Sequence, residues 1–434
     1  MDEIKLSDDV IEQIKDFRDY RLTEQGWLID KLILDKNLKE RYKKYGYTNN
    51  QILEWIEYDK FENIEYLAKG GFGTTFKAVW KEGRILGWDY NNNQWNRIGK
   101  TQVALKCLHN SQGITSEFLQ EVESNILACE SGLGFVVSCF GITKDPNTNN
   151  FMMVMELKKG SLRQKLNDDF NSLYWKNRLN MLRCIAAGLS DIHSSGLIHR
   201  DFHCGNILSN FYQDAYITDL GLCQPANVKS TLSNNKKIYG VLPYIAPEVL
   251  RGKEYTQSSD IYSFGIVAYE VCTGFPPYYN ISHDELLAIK ICQGLRPKFN
   301  YKIPQLVYDI INQCWDADLS KRPKAIELEK LFTYLWNDII SKNENNSVIY
   351  EQIKEAEEIN KKSPSTVQSP LSSTGTLAYT THPQAVYISR LLIYKNPPKP
   401  KNADNNDDSS GIQYSESLRM DFTKLDINSK DNSN

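Results

Sequence analysis

The stretch His199-Arg200-Asp201-Phe202-His203-Cys204-Gly205-Asn206, followed after a strand-like YIT by Asp219-Leu220-Gly221, is where chemistry-bearing residue types gather most densely. An aspartate, an asparagine five residues on and a second aspartate opening a D-x-G turn can supply a proton acceptor and oxygen ligands for a hard cation. Phosphoryl transfer needs those parts, and it also needs a positive group to fix the nucleotide. Val103-Ala104-Leu105-Lys106 offers one, a lysine on a strand-like segment. Glu121, in the helical SEFLQEVESN, can present a carboxylate to that ammonium, with Glu117 one turn away on the same face. Leu67-Ala68-Lys69-Gly70-Gly71-Phe72-Gly73 lies between two strand-like stretches, where bare backbone amides can close over phosphates. A glycine-rich hairpin or an H-R-D tripeptide alone is a common chance match. The ordered set, with Asn206 and the D-x-G behind it, is not.

These residues need elements to carry them. From Phe61 to about Val137 strand-like FENIEYLA, TTFKAVW and TQVALKCL are broken by Gly- and Asn-rich turns, with one helix among them. After Met155 the apolar period turns helical: Leu179, Leu182, Ile185, Ala186, Leu189 and Ile192 share a face, and SSDIYSFGIVAYEV and PQLVYDIINQCW behave alike. An α+β, two-lobed architecture is expected, a small β-rich lobe followed by a larger helical one, over residues 61–340. Residues 1–60 read as a helical extension, with Val10, Ile14 and Phe17, then Leu32, Leu34 and Leu38, near helical spacing. Residues 341–434, rich in Ser, Asn and Asp, read as a largely disordered tail. Within that tail VYISRLLIYKNPPKPK is an apolar and aromatic island, open to two readings: a docking segment for a partner, or a strand added to the domain.

In that order and spacing, residues from about 61 to 340 resemble a eukaryotic protein kinase domain, nearest the tyrosine-kinase-like group. Ala246-Pro247-Glu248 and Arg322 match a glutamate and arginine that the family pairs, and Asp260 matches its helix aspartate beneath the catalytic loop. The resemblance implies ATP and Mg2+, with Asp201 as catalytic base and Lys106, Glu121, Arg200, Asn206 and Asp219 completing the machinery. Asn206 and Asp219 would hold the metal. It further implies a nucleotide pocket of Leu67, Ala68, Gly70, Gly71, Phe72, Gly73, Thr75, Ala104, Lys106, Met155, Glu156, Lys158 and Leu208. Met155 would control its back, and Glu156 and Lys158 would lend backbone groups to adenine. Serine/threonine acceptors on protein substrates follow from the group, with tyrosine left open, because His203 stands where related Ser/Thr kinases often carry Lys and tyrosine kinases carry Arg or Ala. Between Asp219 and Ala246, the hydroxyls of Ser230, Thr231 and Ser233 are candidates for a regulatory phosphate that would engage Arg200.

Three positions depart from the family pattern: Ala68 for the first loop glycine, Leu220 for Phe, and Val241 for the Thr common in Ser/Thr kinases. They feed the alternative, a catalytically weak, ATP-binding scaffold in signalling. Other classes recede. With 51 basic and 54 acidic residues in 434, the chain has no global field for nucleic acid. No run reaches the roughly 18 apolar residues of a membrane span. Nine scattered cysteines, never in C-x-x-C spacing, read as reduced thiols, and Cys204, His203 and Cys223 fit no usual zinc pattern. A cytoplasmic or nuclear location is expected.

Overall fold

The computed structural model describes residues 53–70, 73–89, 91–92, 94–108, 116–130, 134–210, 214–226, 238–300, 302–341, 347–362, 379–394 and 397–402. The helical spacing read before residue 53 and the hydroxyls Ser230, Thr231 and Ser233 lie outside them. The small lobe contains β1 (Glu54–Trp55), β2 (Phe61–Lys69), β3 (Gly73–Trp80), the hairpin β4 (Ile85–Asp89) and β5 (Gln94–Arg97), and β6 (Thr101–Leu108). Helix α1 (Ser116–Glu130) and strands β7 (Cys139–Lys144) and β8 (Phe151–Glu156) complete it. Six strands form one sheet in the order β1-β7-β8-β6-β3-β2.

Alternation along β6 decides which way Lys106 faces. Val103, Leu105 and Cys107 pack with Trp80, Met152 and Val154 on one side of the sheet. Ala104 and Leu108 turn to the other side, where Phe118, Leu119, Val122 and Ile126 of α1 pack on Met153 and Met155. Lys106 shares that second parity and so faces α1.

Residues 53–60, the described end of the expected helical extension, carry a strand, which corrects that expectation there. Leu53 and Trp55 pack on the α1 side of the sheet and Ile56 on the other, the period-2 pattern of a strand. β1 runs parallel to β7, with Glu54 opposite Gly141 and Trp55 opposite Ile142.

The large lobe follows with β9 (Gly160–Ser161), α2 (Leu162–Asp169), α3 (Trp175–Ser194), β10 (Leu197–Ile198), β11 (Ile207–Ser209), β12 (Ala215–Ile217), β13 (Gln224–Pro225) and β14 (Ile238–Gly240). Then come α4 (Pro247–Leu250), α5 (Gln257–Thr273), α6 (Glu285–Cys292), α7 (Gln305–Cys314) and α8 (Ala325–Ile340). Helix α5 is apolar nearly all round and is buried at the centre, as such a helix must be. A Thr256–Ser259 capping box starts it, and Gly274 at φ 76° ends it.

Beyond residue 341 the expectation of a largely disordered tail is corrected in two places. Helix α9 (Val348–Lys362) buries Ile349 and Ala356, and Asn360 and Gln352 bond the backbone of Lys302 and Leu306. Strand β15 (Arg390–Leu392) pairs antiparallel with β14, with Ile238 opposite Leu392, Tyr239 opposite Leu391 and Gly240 opposite Arg390. Of the two readings of VYISRLLIY, the added strand is the one observed.

Candidate active site

Lys106 sits between two carboxylates. Its Nζ contacts Glu121 Oε1 from α1 and lies 2.7 Å from Asp219 Oδ1. Burial works against the ammonium, but Asp219 and Glu121 outweigh it and raise its pKa. Glu121, itself buried, is pushed upward by desolvation against the pull of Lys106. Gln120 reinforces the arrangement by donating to the Cys223 carbonyl at 2.6 Å, tying α1 to the segment after Asp219. A Cβ at Gly221 would come within 2.7 Å of Glu121 Oε2, so glycine there makes room for that carboxylate.

The loop from His199 to Asn206 is held from beneath. Asp260, 1% exposed on α5, accepts from the backbone N–H of His199 at 2.8 Å and of Arg200 at 3.0 Å. Those bonds hold Arg200 at φ 69°, a left-handed conformation that a non-glycine residue adopts only when its surroundings enforce it. Asp219 is left-handed too, at φ 64° and ψ 63°. The two segments are laced together: His199 Nδ1 accepts from Asp201 N–H, so its Nε2–H donates to the Thr218 carbonyl at 3.2 Å. Thr218 N–H in turn donates to the Asn206 carbonyl at 3.0 Å.

Asp201 is 3% exposed. Asn206 Nδ2 donates to its backbone carbonyl at 3.0 Å and to its Oδ2 at 3.2 Å. Burial alone would raise its carboxyl, but His203, with Nε2 3.6 Å from Oδ2, and a hydrogen bond from Ser389 hold the pKa below the usual aspartate value. Ser389 Oγ donates to Oδ2 at 2.6 Å. The other oxygen, Oδ1, is buried with no hydrogen-bond partner among the described residues. Val241, buried nearby, has no hydroxyl to offer it.

The residues expected around a nucleotide are distributed along the sheet and the strands beside it. Thr75 lies opposite Lys106 and Ala68 opposite Thr75 in adjoining strands. Gly70 N–H donates to the Gly73 carbonyl at 2.8 Å and closes the turn, while Gly71 and Phe72 lie outside the described residues. A Cβ at Gly73 would come within 2.2 Å of the Cys107 carbonyl, so only glycine fits this approach of β3 to β6. Leu67 is exposed on β2. Met155 lies opposite Ala104, and Leu208 of β11 packs with the same cluster. Glu156 N–H is already taken by the Ser138 carbonyl, and Lys158 reaches back to Glu156 at 2.7 Å.

Farther out, Arg322 and Glu248 form the buried pair that the sequence suggested, a two-pronged contact at 2.8 and 2.9 Å. The Arg200 guanidinium lies 4.9 Å from the Tyr255 ring centre. All nine cysteines are free, and burial pushes Cys204 up to about 12. Among the described residues no group of three His, Cys, Asp or Glu side chains is arranged to hold a metal ion, and no helix is long and apolar enough to cross a membrane.

Two contacts escaped the sequence reading. Ser389 arrives from the tail, and His203 meets it: Gly205 N–H donates to His203 Nδ1 at 3.0 Å, which leaves the ring proton on Nε2, 3.2 Å from Ser389 Oγ. In the sequence His203 stands out as a departure from the usual lysine and as a member of no usual zinc pattern, and neither feature points to Ser389.

Residues 61–332 match the family described as protein tyrosine and serine/threonine kinase, well over half of the chain. The chain belongs to that family. The kinase domain is similar to a serine/threonine-protein kinase/receptor of Acanthamoeba polyphaga mimivirus, 28% identical over 65% of this chain and 16% of the relative. It is also similar to two Dictyostelium discoideum proteins. Serine/threonine-protein kinase roco5 is 31% identical over 63% of this chain and 10% of its own length. Dual specificity protein kinase pyk3 is 27% identical over 63% of this chain and 18% of its own length. The chain thus spans less than a fifth of each of these three relatives.

Proposed function

We propose that this chain transfers the γ-phosphoryl group of ATP to serine or threonine hydroxyls of proteins. The observation that carries the reading is Lys106, bridged to Glu121 and Asp219, on a segment laced through Thr218 and Asn206 to a carboxylate, Asp201, that accepts a hydrogen bond from a seryl hydroxyl. In this reading Lys106 fixes the α- and β-phosphates, and Glu121 holds Lys106 in place. Asp201 takes the acceptor proton.

The donors present suit magnesium. Asp219 offers carboxylate oxygen, and because the Asn206 amide nitrogen is turned to Asp201, its carbonyl oxygen is the atom left for a cation. Oxygen donors match a hard ion. When bound, magnesium supplies charge neutralisation at the phosphates. Asp201, held below the usual aspartate pKa, is ionised and ready to accept a proton throughout the neutral range. His203 Nε2–H donates toward the same seryl oxygen that donates to Asp201.

The catalytically weak scaffold draws on one observation, the unpartnered Oδ1 of Asp201 beside Val241. Replacing Asp201 by Asn separates the two readings. The variant is expected to bind ATP as the parent does and to lose about 10² to 10⁴ in transfer rate, the usual worth of a positioned base. Equal turnover in parent and variant would remove Asp201 from the mechanism, and absence of turnover in both would leave the scaffold.

A further inference from the structure

The tail segment around Ser389 lies where an outside acceptor would have to lie. Three features place it there. It adds a strand to β14, the backbone-pairing mode by which extended peptides are commonly recognised. It is anchored on both sides of Ser389. Tyr387 donates its hydroxyl to the Pro277 carbonyl at 2.9 Å, with its ring edge-on to His283 at 4.9 Å. Arg390 donates to the His283 carbonyl at 2.7 Å, and Leu392 is 4% exposed. Ser389 itself, one residue before Arg390 of the Gly240–Arg390 pair, puts its hydroxyl between His203 Nε2 and Asp201 Oδ2.

We infer that Ser389 is an intramolecular phosphoacceptor of this kinase. This rests on the phosphotransferase reading above. The Ser389 oxygen attacks the γ-phosphorus of ATP and forms the new O–P bond. The bond from that phosphorus to the β–γ bridging oxygen breaks, its electron pair leaving with ADP. The hydroxyl proton passes to Asp201 Oδ2.

Reach supports a short side chain at this position. With its backbone fixed by the β14 pairing, Ser389 already brings its oxygen to 2.6 Å from the carboxylate. A tyrosine on the same backbone would carry its hydroxyl past it. While the segment is seated, Asp201 is 3% exposed, so an outside hydroxyl has no path to it. Phosphorylation ends that occupancy. A phosphoserine of about −2 charge facing the Asp201 carboxylate is repelled from it. The residues around Ser389 also describe the peptide the groove accepts: an aromatic residue two before the acceptor, arginine directly after it and leucine three after.

The test uses the full chain, treated with a phosphatase, repurified, then given labelled ATP and magnesium over a wide range of protein concentration. Phosphosites are mapped by mass spectrometry, and a degenerate peptide library is assayed in parallel. Phosphate is expected on Ser389, at a rate per molecule independent of protein concentration because the acceptor is tethered. That signal should vanish in Ser389→Ala and in Asp201→Asn, and S389T should retain modification at this position. Library peptides phosphorylated while Ser389 stays unmodified would overturn the inference and leave the proposed function standing. A Ser389 rate rising in proportion to protein concentration would overturn the intramolecular step. Transfer to neither acceptor would overturn both.

Discussion

Replacing Lys106 with Met removes the one cation that faces Glu121 and Asp219 among the described residues and leaves Glu121, with a 3% exposed side chain, without its countercharge. Removing one partner of a buried pair costs about 3 to 5 kcal/mol, because the remaining charge cannot recover its hydration. At about 2 °C per kcal/mol for a domain of this size, the melting temperature at about pH 8 should fall by about 6 to 10 °C. The cost should also depend on pH. Burial already raises the Glu121 carboxyl, and Lys106 is what pulls it back among the described residues. Without Lys106 its folded pKa lies further above the unfolded value of about 4.3. Between those two values the folded state binds more protons than the unfolded one, so stability falls as pH rises and recovers as pH drops through the folded pKa. Thermal melts of parent, Lys106→Met and Lys106→Met with Glu121→Gln over about pH 5 to 8 read this out. The single variant should regain stability on acidification relative to the parent, and the double variant should melt higher than the single at alkaline pH. A single variant that melts with the parent at every pH would refute the claim that Lys106 neutralises a buried carboxylate.

Asp219→Asn should raise the magnesium concentration needed for half-maximal transfer, measured by titrating the metal at saturating ATP; an unchanged optimum would argue against Asp219 as a ligand. Arg322→Lys keeps the charge but loses the fork that grips both Glu248 oxygens, and it should lower the melting temperature measurably without changing the magnesium requirement. Ending the chain after residue 378 removes β15 and the residues around Ser389. Initial rates on added peptide should rise, as the hydroxyl that occupies Asp201 is gone, and an unchanged rate would mean the segment does not compete.

Much of the site could be read in the sequence because its parts lie close along the chain. Asp201 and Asn206 are five residues apart, and Asp219 follows over one short strand, so the spacing itself carries the geometry. Lys106 was legible because period-2 alternation fixes its side of the sheet. Glu248 and Arg322 were paired only through the family resemblance, being far apart in sequence. The tail was less legible. Ile349, Ile353 and Ala356 recur at helical spacing in α9, a signal available but masked by the Asn- and Ser-rich stretches on either side. In β15 the partner strand is β14, far upstream, and no local pattern encodes so distant a pairing. For β1, a strand of two residues is too short to stand out from the helical spacing read before it.

Which hydroxyl accepts the phosphoryl group is measured most directly by incubating the purified chain with labelled ATP, magnesium and degenerate peptides whose fixed central residue is Ser, Thr or Tyr. Label is expected on the Ser and Thr peptides, enriched for arginine directly after the acceptor, and absent when Asp201→Asn replaces the parent. Label confined to the Tyr peptides, or equal labelling by parent and variant, would contradict a serine/threonine kinase with Asp201 as its proton acceptor.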